Sequence, residues 1–97
     1  MIGLKEIEEW VDQNAEGIIP EIPLSPTERG HVAMCLQHIC WWYYENRPIG
    51  SFLTAVVKND LLMACLRADD VNRKALFLYA LFLSNKIPSD YQAKANK

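Results

Sequence analysis

The chain has 97 residues, of which 51% are apolar, 23% charged and 10% aromatic, enough for one compact domain and too few for most large folds. Its formal net charge is −2 and it holds three cysteines, which speaks against a basic nucleic-acid binder and against a disulfide-stapled secreted scaffold. No apolar run approaches the roughly 18 residues of a membrane span, and MIGLKEIEEW carries glutamates where a signal peptide needs bases. A soluble, cytoplasmic chain with reduced thiols is therefore expected.

Leu4, Ile7, Trp10 and Val11 recur at helical spacing among Lys5, Glu6, Glu8, Glu9 and Asp12, which predicts a short amphipathic helix. Residues 14–25 (NAEGIIPEIPLS) contain a glycine and two prolines yet carry Ile18, Ile19, Ile22 and Leu24. They read as an extended strap packed on the body or on a neighbouring subunit. Ser25, Pro26 and Glu28 form a capping-box start, and the helix they open runs to about Asn46, where Arg47-Pro48-Ile49-Gly50 ends it. A further helix is predicted over Ser51–Ala68, with Phe52, Leu53, Val56, Val57, Leu61, Leu62, Cys65 and Leu66 on one wide stripe and a kink at Asn59-Asp60. Asp69 or Asp70 caps a last helix that reaches about Lys86, Pro88 stops it, and Ser89–Lys97 has little to bury. The expected fold is all-α: a small bundle of three to four helices. It divides into an N-terminal acidic helix and strap (1–24), a helical core (25–88) and a flexible tail (89–97). Charge is unevenly spread as well, since residues 1–28 carry seven acids against Lys5 while the remainder carries nine bases against five acids. An acidic arm and a mildly basic body can attract each other or an anionic partner.

The run Trp41-Trp42-Tyr43-Tyr44 turns through about 400° on a helix, so its rings cannot all face one core. Val32, Cys35, Leu36, Ile39 and Tyr43 form the predicted inner face, while Met34, His38, Trp41 and Glu45 lie on another. Outward Trp and Tyr beside Met are typical of protein interfaces and also stack on bases. Trp41, Trp42, Tyr44 and Met34 are therefore the candidate partner-binding residues, unless the arm and strap cover them.

His31, Cys35 and His38 share one side of that helix and are zinc-preferring types. The two histidines, however, stand roughly 10 Å apart along the axis and no fourth ligand is evident, so packing accounts for them better than a metal does. The loop Arg47-Pro48-Ile49-Gly50-Ser51 opens a helix, where backbone N–H groups favour phosphate. With Arg67, Asn59 and Asp60 it makes an alternative ligand site, although a plain turn with Arg47 meeting Glu45 explains it too. Buried, Asn59-Asp60 would need a partner such as Arg67 or Asn72. Glycine-rich phosphate loops, HExxH and GxSxG are all missing from the sequence, which reads as a non-enzyme without a cofactor.

Residues 48–73, PIGSFLTAVVKNDLLMACLRADDVNR, resemble small proteins of tailed bacteriophages and prophages that carry a proline-x-glycine turn, FL-x-AV, NDL, and RAD followed by asparagine. The matching residues are Pro48, Gly50, Phe52, Leu53, Ala55, Val56, Asn59, Asp60, Leu61, Arg67, Ala68, Asp69 and Asn72, within a stretch that covers about a quarter of the chain. The resemblance stops after Pro88, where such proteins often continue. It implies a phage-like origin, a helical fold and a role in binding host factors, in the host cytoplasm. Together these readings point to an oligomeric, non-enzymatic helical module that binds and blocks a host protein. The second reading is a protein that sequesters a nucleotide or other anionic small ligand. Direct nucleic-acid binding is disfavoured by the charge.

Overall fold

The computed structural model describes residues 2–18 and 24–96, and among these every regular element is a helix. In chain order they are α1 (Leu4–Ile18), α2 (Pro26–Glu45), α3 (Ser51–Val57), α4 (Leu61–Arg67), α5 (Asp70–Lys74), α6 (Leu76–Lys86) and α7 (Tyr91–Ala95). The all-α bundle expected from hydrophobic periodicity is the observed class. None of these helices is long and apolar enough to cross a membrane.

The local chemistry of the chain sets the helix ends. At the start of α2 the Glu28 N–H donates to Ser25 Oγ (3.1 Å) and the Ser25 N–H to Glu28 Oε1 (2.9 Å), a complete capping box. At its end Asn46 adopts the left-handed conformation (φ 57°), which asparagine tolerates better than most residues.

The predicted kink at Asn59-Asp60 is a full break. Asn59 is left-handed (φ 59°), its N–H donates to Val56 O (3.1 Å), and the Asp60 N–H donates to Ala55 O (2.9 Å). That pair of bonds is a Schellman motif closing α3. Asp60 then starts α4, its Oδ1 accepting from the Met63 N–H at 3.1 Å. Similarly, Asp69 caps α5 through the Asn72 N–H (2.8 Å), but the expected single last helix divides at Ala75 into α5 and α6.

Two further expectations need correction. The strap does not begin at Asn14, because α1 continues through Ile18 and Asn14 Nδ2 donates to Trp10 O at 2.8 Å. One glycine near a helix end costs only about 1 kcal/mol, so Gly17 is accommodated; residues 19–23, the centre of the expected strap, lie outside the described residues. Nor are residues 89–96 without anything to bury: α7 buries Tyr91 and Ala95.

The core closes around α2. Ile7, Val11 and Ala15 of α1 are buried with Val32, Leu36, Ile39 and Cys40 of α2. Trp10 sets its ring edge-on to Phe82 of α6 (5.2 Å), and Phe52 of α3 does the same to Tyr79 of α6 (5.3 Å). Tyr79 also donates its hydroxyl to Oδ1 of the buried Asn72 at 2.6 Å, tying α6 to α5. On the rim, Lys74 Nζ meets Glu28 Oε2 at 2.7 Å and joins α5 to α2.

Two predictions follow from these contacts. Tyr79→Phe strands a buried amide oxygen, so urea unfolding should show a loss of about 1–3 kcal/mol. The Lys74 hydrogen bond holds the Glu28 carboxyl below its ordinary value of 4.5. Its contribution is therefore complete above that value and disappears as the pH falls through the lower, folded-state value. In thermal melts from pH 6 to 2, Glu28→Gln should lower stability at pH 6 and flatten the acid-side decline. An unchanged acid limb would exclude this pair as a contributor.

Candidate functional site

Because α4 starts afresh at Asp60, its phase is independent of α3. Ala64 faces the core, which turns Leu61, Leu62 and Leu66 outward, 73%, 69% and 69% exposed. The predicted continuous buried stripe therefore ends at Val57. On α6, Phe77 is 55% exposed and shares a helix face with Ala80 and Ser84 by the 3.6-residue period. An open groove of about 260 Å³ has Ala55 and Val56 of α3 and Ala64 of α4 on one side and Leu76, Ala80 and Leu83 of α6 on the other. Leu61, Asp60, Asn59 and Ser84 border it, and Tyr91 of α7 also contributes a wall. Its volume is below the roughly 300–1,000 Å³ of small-molecule pockets and suits one large side chain.

A second, less exposed apolar surface lies along α2. Met34 and Tyr44 are 40% and 44% exposed, while Trp41, Trp42 and Tyr43 are half-buried. Trp41 lies between the His38 ring, stacked at 5.4 Å, and the Arg47 guanidinium, 4.5 Å from its centroid. Contrary to the expectation of a solvated tail, α7 covers part of this edge. Tyr43 donates its hydroxyl to Asp90, and that bond raises the phenol to about 12. Lys94 Nζ donates to Tyr43 O (2.8 Å) and Asn46 Oδ1 and sits over the Trp42 and Tyr43 rings. Beside it, an open depression of about 600 Å³ is lined by Trp42, Tyr43, Tyr44, Asn46, Asp90 and Lys94. Of the candidate partner-binding residues, Trp41, Trp42 and Tyr44 thus sit at the C-terminal end of α2 and Met34 near its middle, and Trp41 and Trp42 are partly occupied by the chain's own cations.

The alternative ligand residues do not converge. Arg47, Gly50 and Ser51 precede or open α3, whereas Asn59 and Asp60 follow it, about 10 Å further along a seven-residue helix. Arg47 pairs with Glu45 at 2.8 Å, as the plain-turn reading expects. Ser51 makes no cap, because Gly50 holds the N-cap position and Thr54 Oγ1 donates back to Gly50 O (2.8 Å). Arg67 is exposed at the end of α4. Neither expected partner of the Asn59-Asp60 pair is used: Asn59 Oδ1 accepts from Tyr91 and Asp60 caps α4.

His31 Nε2 lies 3.8 Å from Cys35 Sγ and 3.7 Å from Asp69 Oδ2. One ring nitrogen facing both neighbours leaves no relay through the ring, and burial pushes the Cys35 thiol up, away from the nucleophilic thiolate. Burial also raises the Cys40 thiol, to about 11. Cys65 is half-buried on α4. With His38 stacked on Trp41, the three residues of zinc-preferring type are not gathered around one point, and no group suited to a metal ion occurs among the described residues.

In the sequence the leucines of α4 carry no sign of a site, since on a single helix with a kink they read as a continuation of the core stripe. The local signal was Asn59-Asp60 itself, a pair that favours turns and N-caps over helix interiors. Comparison with known proteins found no matching family model, no matching curated protein and no matching solved structure.

Lys94→Ala should release α7 from the aromatic edge. Amide exchange over Tyr91–Ala95 is expected to accelerate and tryptophan emission to shift, while α1 and α2 keep their protection. Unchanged exchange would show that Tyr91 burial alone holds the helix.

Proposed function

We propose that this chain is a non-enzymatic protein-interaction module. The observation that carries the reading is the exposure of Leu61, Leu62 and Leu66, between 69% and 73%, on one seven-residue helix, with Leu61 also on the wall of a groove sized for a side chain. Apolar residues scattered singly on a surface need no explanation, but three exposed leucines on two turns of one helix mark an association site. The apolar edge of α2, with Met34, Trp41, Trp42 and Tyr44, is a second contact area of the residue types that dominate interface energetics. Recognition by such surfaces proceeds through burial and shape and needs no reacting group. The heterologous partner in this reading is a host protein, which the module blocks by covering its surface.

Photo-crosslinking in the producing cell tests this. A benzophenone side chain at Leu62 or Tyr44 should give discrete adducts with a protein, identifiable by mass spectrometry. The same group at Glu9, on the solvated side of α1, should give none. Adducts at neither 62 nor 44, or equally at all three positions, would remove the reading.

A further inference from the structure

Among the described residues only Asn46 (φ 57°) and Asn59 (φ 59°) are held in the left-handed region without being glycine, one at the end of α2 and the other at the end of α3. Both turn their side-chain oxygens to α7. Asn59 Oδ1 accepts from the Tyr91 hydroxyl at 3.3 Å, and Asn46 Oδ1 accepts from Lys94 Nζ. Tyr91 and Lys94 are neighbours on one helix face, so a single short element holds both helix ends. The last turn of α2 has no basic residue, and Lys94, 51 positions away, supplies that cation by donating to the helix-terminal Tyr43 O at 2.8 Å. The same helix also walls both surface hollows: Tyr91 lines the groove along α6, while Asp90, Ala93 and Lys94 line the depression beside Trp42.

Five residues cannot keep a helical shape unaided, because nucleation costs more than so few hydrogen bonds return. The form of α7 therefore depends on its anchors, Tyr91 and Ala95 in the core and Lys94 on α2. We infer that α7 is a clasp that opens as one unit and couples the groove to the aromatic end of α2. Loss of contact at Tyr91 releases Lys94 from the rings, and loss at Lys94 releases Tyr91 from the groove wall, since such coupling is reciprocal. In the open state the faces of Trp42 and Tyr43 lose the ammonium above them and the groove loses one wall. Both surfaces are uncovered together. The clasp is a movement of the fold itself, goes beyond the interaction reading and needs no partner, so it stands whether or not positions 62 and 44 crosslink.

Nitrogen-15 NMR of the full chain tests the clasp at both ends. The Trp42 indole N–H reports on the rings, and the backbone N–H groups of residues 91, 94 and 96, which donate to Pro88 O, Asp90 O and Gln92 O, report on α7 by their exchange. Lys94→Met keeps the apolar stem, removes the ammonium and so sets the Trp42 signal of the open state; it should speed exchange at all three amides about tenfold or more, by one common factor. Tyr91→Ala, a change at the groove end alone, should move the Trp42 indole at least half of the way to that position. The Trp10 indole, packed on Phe82, should stay in place in both variants and reports that the fold is intact. If Tyr91→Ala does not fold, Asn59→Gly decides: glycine suits the left-handed turn and removes only the Oδ1 that Tyr91 uses, and the three amides should exchange about threefold faster together. Faster exchange in α7 of a folded Tyr91→Ala with Trp42 unmoved, unequal factors along α7, or unchanged exchange in Lys94→Met each overturn the inference.

Discussion

The surface of this protein depends on where the chain stops being helical after Val57. A helix carried through Asn59 and Asp60 would keep one phase from Phe52 to Leu66. The Schellman bonds of Asn59 and Asp60, followed by the Asp60 cap, reset that phase. Small Ala64 then takes the inward position and three leucines are left in water. Helices of seven residues are too short to hold themselves together in isolation, so α3 and α4 owe their form to these end bonds and to the core beneath them.

Below that surface the core is closed by a few large side chains. Tyr79 and Phe82 of α6 are the largest of the wholly buried set, and each receives an aromatic edge from another helix. No buried side-chain N or O atom among the described residues lacks a partner, and the Tyr79 hydroxyl on Asn72 contributes to that balance. A small domain has little stability in reserve. Exposing several leucines in such a domain is costly in solubility, and this cost is what gives their exposure functional meaning.

The aromatic end of α2 illustrates a different balance. Four consecutive rings had to point several ways, and the chain answers with its own cations: Arg47 over Trp41, Lys94 over Trp42 and Tyr43. Cation–π contact covers a ring face while leaving its edge to solvent, so these rings are half-covered, neither core nor bare platform. The C-terminal helix that provides Lys94 looked like a tail in the sequence because only Tyr91 and Ala95 are apolar at helical spacing within it, and two anchors in five residues are hard to tell from chance.

The sequence alone determined the helical class, the capping box at Ser25, the end of α2 near Asn46, a cap at Asp69 or Asp70 and, of the five expected inner positions, Val32, Leu36 and Ile39, while Cys35 and Tyr43 are only half-buried. Each is a local matter, decided within one or two turns by hydrogen bonds to adjacent backbone or by spacing on one face. Tertiary structure decided the separation of α3 from α4 and of α5 from α6, the docking of α7, and the outward turn of Leu61, Leu62 and Leu66. Hydrophobic periodicity reports that a residue would gain from burial. It carries no record of how much core is available, and in a chain of 97 residues that volume is filled before the apolar side chains run out.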